Sequence, residues 1–192
     1  MNKTRLEAFT DAVIAIIMTI MVLELKIPHG ADMAALAPLL PVFLTYILSF
    51  IFLGIYWNNH HHMLQATRRV NGKILWANLH LLFWLSLVPF VTGWMGENHF
   101  AEVPTAVYGA VMLMAAISYL ILQTLILHHH KDEHTLLAAA VGSDLKGKLS
   151  MAMYAAAIPL AFVNQWISDA IYIVVAAIWL IPDKRIESRL ET

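Results

Sequence analysis

The start of the chain places a cation, a hydroxyl and a carboxylate close together at the edge of a long apolar run. Arg5, Thr10 and Asp11 could pair with each other or with polar groups of a neighbouring helix. A carboxylate one or two turns inside an apolar helix is costly unless it is paired or hydrated, so it is a candidate functional residue by default. We expect Asp11 to bind Arg5 or a histidine at the end of the next apolar helix. The alternative is an ion pair that only fixes how the first helix packs.

Two histidine-rich segments could bind a metal ion. One follows the second apolar run and one follows the fourth; they contain His60, His61 and His62, then His128, His129, His130 and His134. Consecutive residues on a helix point about 100° apart, so three neighbouring histidines cannot all bind one ion. Histidine is also favourable at a helix C-terminus, where it needs no metal. We expect no metal site.

Other kinds of chemistry have little support in the sequence. The chain has no cysteine, which leaves neither thiolate chemistry nor a disulfide framework. Its net charge of −1 provides no basic surface for nucleic acid. Catalytic patterns such as HExxH or GxSxG are absent, and the hydroxyl residues of the apolar runs have no nearby general base. We expect neither an enzyme nor a bound cofactor.

The elements that position these residues are membrane helices. The 192 residues are 60% apolar and only 13% charged, with a mean hydropathy of +0.68, which is typical of an integral membrane protein in a lipid bilayer. We predict an all-α protein with one domain, residues 1–192. Runs of roughly 17 to 25 apolar residues can cross the bilayer, and six spans are predicted at about 6–26, 36–57, 74–95, 104–127, 147–163 and 167–181.

The last two predicted spans are short and come from one apolar stretch. Residues 149–181 are interrupted by polar residues, which predict a tight turn near 164–169. A re-entrant helical hairpin remains the alternative. With six spans, eleven of the twelve Lys and Arg residues fall on one side of the membrane and only Lys26 falls on the other. This asymmetry predicts that both termini are cytoplasmic.

The first apolar helix has one narrow face that could be a packing surface or the wall of a pore. At about 100° per residue, that face holds Arg5, Phe9, Ala12, Ile16, Ile20 and Leu23, with Thr19 at its edge. Asp11 points to nearly the opposite side. A small unit with a single candidate pore face encloses no aqueous path alone, so symmetric assembly is favoured. Rings of isoleucine and leucine can gate by dewetting, and Glu24 at the far end could concentrate cations.

Four segments in order resemble the transmembrane protein 175 family of potassium channels. Residues 5–11, RLEAFTD, fit the Arg-x-x-x-Phe-Ser/Thr-Asp signature of its first helix, with threonine where serine is the usual residue. The similarity continues through MTIMVLEL (18–25), SFIFLGIYWNNHH (49–61) and NLHLLFWLSLVPF (78–90). It covers the first three spans in register. The later spans agree in number and length only.

The resemblance implies a prokaryotic homotetramer in the plasma membrane, with a potassium-selective or potassium-preferring pore lined by the first helix. Ile16 would form its tightest ring, followed by Thr19 or Ile20 and then Leu23, with Glu24 at the outer mouth. It also implies an interhelical network behind the pore helix, built from the motif and the end of the second span: Arg5, Phe9, Thr10, Asp11, Trp57, His60 and His61. The carbonyl filter sequence TVGYG of other potassium channels is absent.

Two other functions are open from the residues alone. A small secondary transporter could couple to protons through Asp11 or the histidines, although transporters usually show internal repeats and broken helices at the midplane. A non-conducting scaffold would use the apolar stripe of the first helix for packing only.

Overall fold

The computed structural model describes residues 3–65, 67, 69–129 and 144–180 of the chain. These ranges fold into helices, which confirms the predicted all-α class. The α-helices are α1 (Lys3–Ile20), α2 (Leu40–Gln65), α3 (Gly72–Ser86), α4 (Val88–Glu97), α5 (Glu102–His129), α6 (Leu145–Leu160) and α7 (Gln165–Leu180). Two 3-10 segments, Met21–Glu24 and Met33–Leu39, extend α1 and precede α2.

Among the described residues, four helical stretches are long and apolar enough to cross a membrane: Lys3–Glu24, Met33–Gln65, Gly72–Glu97 and Glu102–His128. The third combines α3 and α4, so the described helices form six units. α6 and α7 have 16 residues each. At 1.5 Å per residue each is about 24 Å long, shorter than a hydrocarbon core of about 30 Å.

The third span is interrupted at Leu87, close to Pro89. Pro89 lies in the first turn of α4 and has no N–H to donate to the carbonyl four residues earlier. The amide of Leu87 instead bonds the Trp84 carbonyl at 3.2 Å. The Ser86 hydroxyl donates to the Phe83 carbonyl at 2.7 Å. The break therefore begins two residues before the proline.

Contacts at the two ends of the bundle show that neighbouring spans run in opposite directions. Lys3 Nζ, at the start of α1, donates to the Gln65 carbonyl at the end of α2, at 3.0 Å. At the other end of α1, Lys26 Nζ lies 2.6 Å from Glu97 Oε1, at the end of α4. α1 packs on α2, α3 and α4, whereas α5 packs on α3, α4, α6 and α7. α1 is thus at the edge of the bundle.

Two boundaries differ from the sequence expectation. α2 continues to Gln65, so residues 58–65 are helical rather than part of a loop, and the Asn59 side chain donates to the Ile55 carbonyl at 2.8 Å within that helix. The turn between α6 and α7 is at 161–164 rather than 164–169, because Asn164 Oδ1 accepts from the Trp166 amide at 3.1 Å and begins α7 earlier. The predicted C-terminal cytoplasmic segment, with Lys184, Arg185 and Arg189, lies outside the described residues.

Candidate pore face and the network behind it

α1 has one buried face and one exposed face. The buried face packs into the bundle through Leu6, Thr10, Ile14, Ile17 and, in the following 3-10 turn, Met21. The exposed face carries every residue of the stripe that the sequence singles out. Its large side chains are uncovered in the single chain: Phe9 is 49% exposed, Ile16 56%, Ile20 42% and Leu23 78%. In a membrane helix an exposed apolar face contacts lipid, a neighbouring subunit or a pore.

An open groove of about 700 Å³ runs along this exposed side, between α1 and α4. Ile16 and Ile20 line it from α1, and Phe90 and Trp94 line it from α4. The rings of Phe90 and Trp94 stack, with centroids 5.9 Å apart. The groove therefore continues the exposed α1 face onto the bent third span.

Thr19 has a side chain that could contact a cation. Its hydroxyl donates back to the carbonyls of Ala15 and Ile16, at 3.0 and 2.9 Å. Because the O–H group points to the helix backbone, the oxygen lone pairs remain free on the exposed face. Thr19 thus places a hydroxyl oxygen between the apolar side chains of Ile16 and Leu23.

Asp11 is bound by the second helix rather than by Arg5. Trp57 Nε1 donates to Asp11 Oδ1 at 3.0 Å, and this bond joins α1 to α2. The indole of Trp57 also stacks on the His61 ring, with centroids 6.1 Å apart and planes 21° apart. Arg5 forms no ion pair with the described residues and is exposed. Of the expected network, Asp11, Trp57 and His61 come together, and Arg5 stays apart.

A second, buried part of the network joins three helices. Asn78 on α3 donates through Nδ2 to the Thr10 hydroxyl at 2.8 Å, and its Oδ1 lies 2.7 Å from His60 Nε2. An amide oxygen only accepts hydrogen bonds, so His60 is the donor and carries its proton on Nε2. All three side chains are fully or almost fully buried. Asn78 is therefore the centre of the α1–α2–α3 contact behind the exposed face.

The sequence reasoning missed two members of this network. Asn78 is the first: it is separated from Thr10 by 68 positions, and no sequence pattern indicates that the two residues pair. Glu7 is the second: its Oε1 lies 3.1 Å from His61 Nδ1, whose ring also contacts Gln65 Nε2 at 2.7 Å. Glu7 lies inside the signature segment of residues 5–11, and this position is the one sequence feature that could have indicated its role in the network.

The far end of α1 carries charges that surround the groove. The Glu24 carboxylate packs on Gly93, where an added Cβ would lie 3.2 Å from Glu24 Oε2. The hydrogen bond and ion pair with Glu97 raise the pKa of Lys26 above its usual value, so Lys26 stays cationic. The carboxylates of Glu24 and Glu97 thus lie near the ammonium of Lys26 at this end of the groove.

Histidines do not form a metal centre in the part of the chain that the structure describes. No group of three or more His, Cys, Asp or Glu side chains there could hold a metal ion. His130 and His134, which belong to the second histidine-rich segment, lie outside the described residues, as does the side chain of His129.

Comparison with known proteins gives similarity over the whole chain. A family model described as the endosomal/lysosomal potassium channel TMEM175 matches residues 5–89. A potassium channel from Chryseobacterium sp. is 54% identical over 191 residues, which cover 100% of this chain and 99% of that protein. The endosomal/lysosomal proton channel TMEM175 of Gallus gallus is 28% identical over 151 residues, 70% of this chain and 30% of its own length.

A solved structure has the same architecture. The crystal structure of a lysosomal potassium-selective channel TMEM175 homologue from Chamaesiphon minutus is 28% identical, with a TM-score of 0.82. The match covers 94% of this chain and 97% of that one. The ordered segments, the helical fold and the full-length relative agree, and the chain belongs to the TMEM175 family of ion channels, integral membrane proteins rather than enzymes.

Proposed function

We propose that this chain is a homotetrameric channel that conducts potassium ions passively through a central pore lined by α1. The observation that carries the proposal is the exposure of the whole α1 stripe in the single chain. A fourfold assembly around an axis would bring four copies of this face together and place the Ile16 side chains and the Thr19 hydroxyls around one path. Potassium as the permeant ion is inferred from the names of the bacterial relatives.

The stripe suggests how the pore would be gated. Ile16 would form the narrowest ring, with Thr19 or Ile20 and then Leu23 above it. A ring of isoleucine side chains offers an ion no oxygen ligand, so a dry ring blocks conduction and a wet ring permits it. The free lone pairs of Thr19 would supply the nearest ring of oxygens.

The network on the other side of α1 would set the position of that ring. Bonds from Trp57 to Asp11 and from Asn78 to Thr10 tie the first half of α1 to α2 and α3. Of the two, the Asn78–Thr10 bond is buried, and hydrogen bonds between membrane helices stabilise one packing arrangement over others. These bonds hold α1 in the orientation that leaves its exposed stripe facing away from α2 and α3 of the same subunit.

Charge asymmetry supports the orientation within the proposal. Both termini would be cytoplasmic in a prokaryotic plasma membrane, with Lys3 and Arg5 inside. Glu24 would then stand at the outer mouth, where a ring of four carboxylates raises the local cation concentration.

The test is a current measurement on the purified protein in planar bilayers. A potassium gradient at symmetric pH should give a reversal potential near the potassium equilibrium potential. A reversal potential that follows an imposed pH gradient instead would make protons the permeant ion. Flux that saturates at carrier rates and requires a proton gradient would establish the transporter alternative.

A further inference from the structure

α7 carries a single charged residue, and its carboxylate has no hydrogen-bond partner among the described residues. Asp169 is half-buried, and both of its carboxylate oxygens are shielded from solvent. Neither oxygen accepts a hydrogen bond from the described chain. Buried polar atoms are normally paired, and an ionisable group inside a membrane helix is a candidate functional residue by default. The proposed pore gives this carboxyl group no role.

The phenols around Asp169 are engaged elsewhere. Its charge acts on two of them, Tyr108 on α5 and Tyr172 one turn further along α7. The Tyr108 hydroxyl bonds the Ser49 hydroxyl at 3.1 Å, and the Tyr172 hydroxyl donates to the Thr105 carbonyl at 2.9 Å. Because phenols are neutral below about pH 10, they provide no positive charge for the carboxylate.

α6 brings no cation to this level of the bundle. The Ser168 hydroxyl donates to the Ala157 carbonyl at 2.7 Å, which places Asp169 beside the last turn of α6. The lysine of α6 closest to that turn in sequence is Lys148, which lies about 14 Å from Ala157 along the helix axis at 1.5 Å per residue. The titratable residue of α6 that packs on α7 is Tyr154, a further phenol.

The other helices that pack on α7 are α5 and α2, and they supply no buried positive charge there. α5 begins with Glu102, an exposed carboxylate, and His99 in the preceding turn is also exposed. Residues 40–57 of α2 contain no charged residue. The N-terminus of α7 contributes little, because Asp169 is its fifth residue and the favourable effect on anions is confined to the first turn. An ionised Asp169 is therefore a buried charge that the described residues leave uncompensated, which is strongly unfavourable.

The cation that fits this carboxylate is a proton. The two oxygens leave no access for a water-sized ligand, and no group of three or more His, Cys, Asp or Glu side chains in the described ranges could hold a metal ion. A proton needs no cavity, and it converts the carboxylate into a neutral acid. Burial of a neutral acid costs far less than burial of an anion.

We propose that Asp169 is a proton-binding site, and that α7 keeps its packing on α5 and α6 while this proton is bound. The acid form exists in the folded protein over a pH range in which exposed aspartates are ionised. The bonds of Ser168 and Tyr172 hold α7 to the two neighbouring helices around the neutral carboxyl group. Release of the proton leaves a buried charge between these helices and weakens their packing. The site does not depend on the proposed function.

Infrared difference spectroscopy tests the proton directly. Wild type and Asp169→Asn are purified in dodecyl maltoside, a detergent without a carbonyl group, and measured at about pH 5.5, where an exposed aspartate with its ordinary pKa of about 3.9 is ionised. The wild-type minus Asp169→Asn spectrum should contain the C=O band of a carboxylic acid, and this band should shift in heavy water. The control is Asp32→Asn, at an exposed aspartate, whose difference spectrum should contain carboxylate bands only. Carboxylate bands without an acid band for Asp169 would overturn the proposal.

A label in the wild-type protein keeps the test decisive if Asp169→Asn does not fold. Aspartate enriched in carbon-13 at its side-chain carboxyl should shift an acid band of the wild-type spectrum at about pH 5.5. If no acid band moves with the label, Asp169 is ionised and the proposal is wrong.

A bound proton also makes stability depend on pH with a defined sign. The folded protein holds one more proton than the unfolded chain, so the free energy of unfolding falls as the pH rises. Asparagine has the shape of the neutral acid and does not ionise. The thermal denaturation midpoint of Asp169→Asn should be close to that of wild type at about pH 5.5 and should exceed it by about 2–4 °C at about pH 8. A midpoint difference that does not change with pH, or a less stable Asp169→Asn protein at the higher pH, would contradict the link between this proton and the packing of α7.

Discussion

Trp57 Nε1 donates a 3.0 Å hydrogen bond to Asp11 Oδ1, from the end of α2 to the first half of α1. The carboxylate is thus held by a neutral donor of the same chain, on the side of α1 away from the exposed stripe. This bond, with the Glu7–His61 contact beside it, links the signature segment of α1 to the helix that follows. We therefore expect it to control assembly rather than to touch the permeant ion.

Loss of the Asp11 charge or of the Trp57 donor should weaken assembly. Hydrogen bonds to charged groups contribute about 1.5–3 kcal/mol, and Asp11→Asn or Trp57→Phe should lower the tetramer fraction and the current together. Size-exclusion chromatography with light scattering measures the tetramer. Trp76→Phe, at a residue 74% exposed on α3, is the matched control. If the Asp11→Asn protein is fully assembled and fully conducting, the prediction is wrong and the Trp57–Asp11 bond contributes only to local helix packing.

Asn78 should contribute more to stability than an ordinary asparagine. Asn78→Ala leaves the Thr10 hydroxyl and the His60 Nε2–H buried without partners, and each such group costs about 1–3 kcal/mol. The thermal denaturation midpoint in detergent should fall by several degrees. Asn58→Ala, at an exposed position of α2, should change it little. Equal denaturation midpoints for Asn78→Ala and Asn58→Ala would show that the hydrogen bonds of Asn78 do not stabilise the fold more than an exposed asparagine does.

The sequence predicted the α1 stripe well because a period of 3.6 residues defines a helix face without any knowledge of the neighbours. It also predicted Trp57 and Asp11 as partners through the family resemblance. It could not predict the role of Asn78, since that depends on how α3 packs against α1. The predicted second span ends at residue 57, whereas α2 continues to Gln65, because the polar residues at 58–62 remain helical.

Two glycines, Gly96 on α4 and Gly54 on α2, should respond differently to alanine. At Gly96 a Cβ would lie 2.6 Å from Val42 Cα, so Gly96→Ala must separate α2 from α4 and should cost about 1–3 kcal/mol. At Gly54 a Cβ meets nothing within 4 Å, so Gly54→Ala should be neutral or stabilise α2 by up to about 1 kcal/mol. Thermal denaturation measures both. A stable Gly96→Ala protein would contradict the close α2–α4 contact.

A polar residue at the proposed constriction should hydrate it. Ile16→Asn should raise the single-channel conductance or reduce the preference for potassium over sodium, because a wet ring presents a lower barrier. Ile173→Asn is the matched control, since Ile173 on α7 is 58% exposed and Ile16 is 56% exposed. If both variants leave the currents unchanged, the narrowest ring is not at Ile16.

The pore assignment has one direct test, and the chain suits it because it contains no cysteine. A single cysteine is introduced at Leu23 or Thr19 on the stripe, or at Ile173 as the control. A membrane-impermeant cationic thiosulfonate is then applied from outside during recording of potassium current. A pore lined by α1 predicts irreversible block for Leu23→Cys and Thr19→Cys and an unchanged current for Ile173→Cys. Full current after complete modification of both stripe cysteines would contradict a pore lined by α1.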